Sequence, residues 1–259
     1  MTGEEPGCRM GQVEQMIRYA YWTSGCSGIV VGVSGGVDSA VAAAFCCRAI
    51  GPERVLGLSL PSSVSAPQDV QDAQELCARL GMEHRTISIE PMLDTFRAMP
   101  GFVPSPYLLG NLMARIRMVL LYYHANAEHQ LVCGTSNRSE YLLGYCTKFG
   151  DNAADIQPLL HLYKTDVYVI AREMMIPDQI LQKAPSAGLW AGQSDEGEIG
   201  LSYREIDASL QRLENNGWKA SGPTDEKVLA LVQKSGHKRL GAPSLLTAPK
   251  GSRHTVPDD

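Results

Sequence analysis

The chain reads as an α/β protein, a doubly wound parallel sheet of about five strands with helices on both faces. Three observations predict it. Short apolar runs such as "GIVVGV" (28–33) and "QLVCG" (130–134) recur and are bounded by turn-forming residues. Stretches with helical periodicity separate them, which implies βαβ units. Two of the loops that leave strand ends, 34–39 and 134–140, carry unusual polar chemistry, and ligands of such sheets sit at the carboxyl ends of strands.

Each element has its own signal. Residues 10–24 pattern as an amphipathic helix, and 28–33 as a buried strand. Residues 38–50 are helical and stop at Gly51 and Pro52. "RVLGLSL" (54–60) is a second strand, followed by a Pro/Ser loop (61–68) and a helix over 69–81 that ends in glycine. "EHRTISI" (83–89) alternates like a third strand. Three prolines mark 98–107 as mobile, and a long helix follows. After the fourth strand, 134–158 is mostly loop, with a short fifth strand expected near 156–158. Residues 164–175, 202–216 and 224–235 are helical. Gly and Ser make 184–200 a mobile segment, and a Pro/Gly-rich tail from 242 is expected to be loose.

The 259 residues suit one domain spanning 1–259. A net charge of -5 argues against a general nucleic-acid binder, which needs a basic face. The first ten residues hold no apolar core, and no apolar run approaches the roughly 18 residues that span a bilayer, so no signal peptide and no membrane are expected. Seven cysteines with no C-x-x-C pair read as reduced thiols of a cytoplasmic protein rather than a disulfide frame or zinc site.

The loop "SGGVDS" (34–39) lacks the lysine of a Walker A motif, and Gly32, Gly35 and Gly36 have the wrong spacing for a dinucleotide fingerprint. Its glycines let backbone N–H groups approach a ligand, the next helix offers free N–H groups, and Ser34 and Ser39 add hydroxyls. This suits a pyrophosphate. Asp38 would repel one, unless Mg2+ lies between them. The plain alternative is that Asp38 or Ser39 only caps the helix.

S-G-G-x-D-S after a strand resembles the signature of the N-type ATP pyrophosphatases, which have a Rossmann-like, adenine nucleotide alpha-hydrolase-like fold. Three more segments, "NLMARIRM" (111–118), "GTSNRSEYLLGYCTKFGDNAAD" (134–155) and "PSAGLWAGQSDEGEIG" (185–200), resemble the NAD synthetases within that superfamily, over roughly 10–240. The resemblance implies ATP-dependent amidation of deamido-NAD to NAD by ammonia, through an adenylate, with release of AMP and pyrophosphate. It implies an ATP site of Gly32, Val33, Ser34, Gly35, Gly36, Val37, Asp38, Ser39, Thr135, Lys164 and Ser186. Asp38 and Glu140 are the expected Mg2+ ligands and, with Lys164, the expected catalytic residues. Arg115, Lys148, Asp155, His237 and Lys238 are expected to meet deamido-NAD, and the family's homodimer places that site at the subunit boundary.

The residue types fit these roles. Arg115 lies one helical turn after Asn111 and can hold a phosphate, whereas Arg117 points elsewhere and is expected in a surface salt bridge. Lys164 opens a helix, where a cation is unfavourable, so a ligand phosphate is a motive for it. As plain alternatives, Glu140 is a solvated helix-start acid, Lys148 and Asp155 are surface charges, and Trp190 packs in the core rather than anchoring the 184–200 loop. Glutamine-using relatives carry an added amidohydrolase domain. The signature begins here at residue 34, so ammonia itself is the expected nitrogen source. A tRNA thiolase or GMP synthetase is the rival enzyme; a non-catalytic nucleotide-binding regulator is the rival of another class.

Overall fold

The computed structural model describes residues 6–190 and 192–242. Four strands, β1 (Gly28–Gly32), β2 (Val55–Ser59), β3 (Glu83–Thr86) and β4 (Gln130–Cys133), form one parallel sheet in the order β3-β2-β1-β4. The helices are α1 (Pro6–Ser24), α2 (Val37–Ile50), α3 (Pro67–Leu80), α4 (Glu90–Arg97), α5 (Pro106–Glu128), α6 (Arg138–Leu143), α7 (Lys164–Glu173), α8 (Asp178–Leu181), α9 (Asp195–Ile199), α10 (Tyr203–Asn215), α11 (Pro223–Lys234) and α12 (Gly236–Arg239).

β1 and β2 sit in the middle and are almost wholly buried, while β3 at the edge is half exposed. Alternate residues face opposite layers. Ile29, Val31 and Val55 join a core under α1, α2, α3 and α7; Val30, Leu56 and Leu58 join a second core under α4 and α5. A third cluster, built from α6, α10 and α11, packs Ile206, Leu210, Leu213 and Val228 at no measurable exposure.

The fifth strand is not formed; four strands stand where about five were expected. Residue 156 makes a single parallel bridge to Cys133. Pro158 lacks the N–H that would continue the ladder. The Asp155 carboxylate also takes the Val132 N–H at 2.7 Å, a donor a neighbouring strand would use. Helix α4 has no counterpart in the sequence reading. Its Leu93 and the preceding Ile89 are buried, and Pro91 sits in its first turn, where proline is tolerated. The tail expected to be loose lies outside the described residues beyond 242.

The chain leaves β1 toward β2 on one side, and β4 adds on the other side. The carboxyl ends of β1 and β4 therefore open a crevice at the point where the strand order reverses.

Candidate active site

The glycine loop leaves β1 into this crevice. Gly35 has φ +78°, and a Cβ there would lie 2.4 Å from the Asp69 carbonyl oxygen. Only glycine meets both conditions. The Ser39 hydroxyl donates to the Gly36 carbonyl at 3.0 Å and accepts from the Ser34 N–H at 3.2 Å. The Gly36 N–H donates to Ser34 Oγ at 3.3 Å. Helix α2 then starts at Val37 with no side-chain cap on Gly36. The N–H groups of Val37, Asp38 and Ser39 thus have no intrahelical acceptor and stand at the positive end of a 14-residue helix.

Asp38 does not cap that helix. Its Oδ1 accepts from Asn137 Nδ2 at 2.9 Å, and its Oδ2 accepts from Lys164 Nζ at 2.5 Å. The same ammonium donates to Glu140 Oε1 at 3.2 Å. Helix α6 aims Glu140 through a capping box: Asn137 Oδ1 takes the Glu140 N–H at 3.0 Å, and Glu140 Oε2 takes the Asn137 N–H at 3.4 Å. Helix α7 begins at Lys164 and is tied to α6 because the Lys164 N–H donates to Ser139 Oγ at 2.9 Å. Ser139 in turn donates to Asp207 of α10 at 2.5 Å.

The ammonium is 4% exposed and lies 5.0 Å over the Tyr203 ring. Burial opposes its charge, but Asp38 and Glu140 outweigh that and raise its proton affinity. Burial also pushes the Glu140 carboxyl up to about 8; Lys164 opposes the rise and Asp38 adds to it. The single cation stands closer to Asp38, so Glu140 is the less compensated carboxylate.

These groups line a cavity of 640 Å³, within the usual size of a small-ligand site. Its wall contains every expected ATP-site residue, Gly32 to Ser39, Thr135, Lys164 and Ser186, together with Glu140 and Lys238. Arg115, Lys148, Asp155 and His237 lie outside that wall. Three of the four nonetheless form a connected patch at its rim. Arg115 reaches the Lys148 carbonyl at 3.2 Å, and Lys148 Nζ donates to the His237 carbonyl at 2.6 Å. Arg115 also bonds Asn111 across one helical turn. Asp155 stays at the sheet edge, bonded to Val132 and to the Tyr122 hydroxyl. The basic run 237–239 is not merely solvated. Lys238 Nζ donates to the carbonyls of Gly144 (2.8 Å) and Cys146 (2.7 Å), and Arg239 to that of Leu142 (2.6 Å), which satisfies the C-terminal end of α6.

Arg117 corrects its expectation. It lines the cavity and donates from Nε to the Leu60 carbonyl at 3.0 Å, not into a surface ion pair. Helix α5 runs along the second core, and that face looks onto the sheet end. The sequence reading also gave no role to Asn137 and Asp195, which lie inside segments it singled out, or to Lys183, just before one of them. Asp195 Oδ1 accepts from the Ala187 N–H at 3.0 Å and its Oδ2 from the Tyr203 hydroxyl at 3.0 Å. Gln193 accepts from the Leu189 N–H at 2.7 Å. The 184–200 segment therefore carries more internal bonding than its Gly/Ser content suggested. Trp190 lies in the cavity wall beside Gly110. Among the described residues, no group of three or more His, Cys, Asp or Glu side chains is placed to hold a metal, and no helix is long and apolar enough to cross a membrane.

Comparison with known proteins bears on this arrangement. A family profile described as NAD synthase matches residues 10–242. An NH(3)-dependent NAD(+) synthetase of Methanoregula boonei is 74% identical over 246 residues, covering 95% of this chain and 99% of its own. Among solved structures, an NMN synthetase from Francisella tularensis superposes with a TM-score of 0.85 at 39% identity, covering 93% of this chain and 98% of that one. An NH3-dependent NAD synthetase from Campylobacter jejuni superposes at 0.81 with 32% identity, covering 94% and 100%. The matched span runs from the first turns of α1 to the end of the described chain and takes in the whole cavity wall, so the chain belongs to the NAD synthase family.

Proposed function

We propose that the protein makes NAD from deamido-NAD, ATP and ammonia, and releases AMP and pyrophosphate. One observation carries this reading: a glycine loop with open helix-terminal N–H groups faces the same cavity as Asp38, Glu140 and a buried Lys164. The loop amides and the Ser34 and Ser39 hydroxyls hold the β and γ phosphates. Lys164 supports the α-phosphoryl group. The nicotinate carboxylate of deamido-NAD attacks the α-phosphorus, and pyrophosphate leaves toward α2. Ammonia then adds to the acyl carbonyl, gives up a proton to solvent, and AMP departs. Catalysis rests on positioning and charge stabilisation, with no covalent enzyme intermediate.

The donor set fits Mg2+. One ammonium between two carboxylates leaves an excess of negative charge; burial first, and then the neighbouring Asp38, raise Glu140, and both side chains present hard oxygen ligands. Asp38 and Glu140 would hold the ion, which when bound neutralises charge on the phosphates.

The rim patch of Arg115, Lys148 and His237, with Lys238 in the wall, receives deamido-NAD. Asp155 reaches the same substrate only if its bond to Val132 yields. The cavity opens beside α5, which exposes Leu108, Val119 and Tyr123 along one side. A second subunit covering that side would complete the substrate site, which supports a homodimer. Free thiols at Cys26, Cys46, Cys47, Cys77, Cys133 and Cys146 support a reducing, cytoplasmic setting.

The test mixes protein, Mg-ATP, deamido-NAD and ammonium, and measures NAD, AMP and pyrophosphate, expected in equal amounts. ATP turnover without NAD would refute the reading. The likeness to an NMN synthetase favours a second reading, in which a nicotinate mononucleotide is the acceptor. Parallel assays with the two acceptors separate them by kcat/KM.

A further inference from the structure

Lys183 belongs to no motif yet joins three parts of the site. Its ammonium donates to the Gly35 carbonyl at 3.1 Å and to Asp69 Oδ1 at 2.6 Å, and it pairs with Asp72 Oδ2 at 2.5 Å. Asp72 is 1% exposed, so its charge needs this partner. Gln68 supports the other Asp72 oxygen at 2.8 Å. Lys183 also stands immediately before the 184–193 segment, whose Ser186 and Trp190 line the cavity.

We propose that Lys183 is a positioning residue for ATP, locking the 35–36 peptide so that the Gly35 carbonyl is held away from the phosphates and the Gly36 N–H stays on the side of Ser34. This rests on the reading of 34–39 as the phosphate site. A glycine at φ +78° has no Cβ to resist a peptide flip. In a trans peptide the N–H points away from the carbonyl. With the Gly35 carbonyl held by Lys183, the Gly36 N–H is turned the other way, to Ser34 Oγ. A flipped peptide would turn the carbonyl dipole to the side that faces Ser34 and repel an anion. Lys183 also offsets the charges of Asp69 and Asp72 beside the loop, which would otherwise repel a triphosphate.

The assay is steady-state kinetics on the full chain, varying ATP and deamido-NAD separately. Lys183→Gln is expected to raise KM for ATP about tenfold, the loss of one charge-assisted contact, and to leave KM for deamido-NAD within about twofold. Lys183→Arg keeps the charge and the donors, and is expected to restore KM for ATP to within about threefold. A purely structural role would lower Tm and kcat without splitting the two KM values. Should Lys183→Gln not fold, the double variant with Asp72→Asn removes the ion pair as a unit, leaves no buried orphan charge, and must show the same split. An unchanged KM for ATP, or equal rises for both substrates, would overturn the proposal. In either case the parent enzyme still forms NAD; failure of the parent to do so would refute the functional reading instead.

Discussion

Replacing Lys164 by Met tests the electrostatic centre most directly. The ammonium is almost fully buried and, among the described residues, is the one cation paired with both Asp38 and Glu140. Its removal leaves two facing carboxylates with no cation between them. Breaking a buried ion pair in this way costs about 3–5 kcal/mol. For a chain of this size, that lowers Tm by roughly 6–20 °C. The loss depends on pH. Glu140 already has its proton affinity pushed up to about 8, and Lys164 was the group opposing that rise. In the variant it rises further, so the folded state takes up a proton that the unfolded state releases at ordinary carboxylate pH. Stability therefore falls as pH rises above the ordinary carboxylate range, and the deficit against the parent is larger at pH 8 than at pH 5.5. The assay is thermal unfolding of both proteins at the two pH values, with and without Mg2+. The dication is expected to raise the variant's Tm more than the parent's, because no ammonium competes with it for Asp38 and Glu140. An equal Tm deficit at both pH values, or none at pH 8, would refute the reasoning.

Three further outcomes are expected. Asp38→Asn keeps the Asn137 contact and the fold, but pyrophosphate release falls by about two orders of magnitude or more; near-normal turnover would remove Asp38 from the chemistry. Glu140→Gln abolishes a titration, so the fall of parent stability with pH between the ordinary carboxylate value and 8, to which Glu140 adds at most about 1.4 kcal/mol per pH unit, becomes shallower in the variant, read by denaturant unfolding across pH; an unchanged slope would refute it. Gly35→Ala drives a Cβ into the Asp69 carbonyl at 2.4 Å and strains a positive φ, costing about 1–3 kcal/mol and raising KM for ATP, measured by Tm and steady-state kinetics.

Much of the site was legible because it lies in contiguous loops at strand ends. The run 34–39 carries its chemistry in neighbouring residues, and the anion-loop role proposed for it depends on local backbone freedom and the start of one helix. The run 134–140 likewise keeps Glu140 within one short segment, but the capping box that aims it, Asn137 with Glu140, was seen only in the structure. Arg117 and Lys183 were not legible. Their partners, the Leu60 and Gly35 carbonyls, Asp69 and Asp72, lie 57, 148, 114 and 111 residues away, and a side chain's destination across such a span leaves no periodic mark. The fifth strand failed for a similar reason: whether residues 156–158 pair depends on Asp155 competing for the Val132 N–H, a contact between distant segments.

By itself, the sequence determined the α/β class, the glycine loop and the identity of the acids and the lysine, because apolar periodicity and turn chemistry are local properties. Only the tertiary structure decided that Lys164 meets Asp38 and Glu140 in one buried triad. Asp38 and Lys164 stand 126 residues apart, and the strand order β3-β2-β1-β4 is what brings the ends of β1 and β4 side by side. The proton affinity of Glu140 belongs to that same category, since burial and a neighbour's charge exist only once the chain has closed around them.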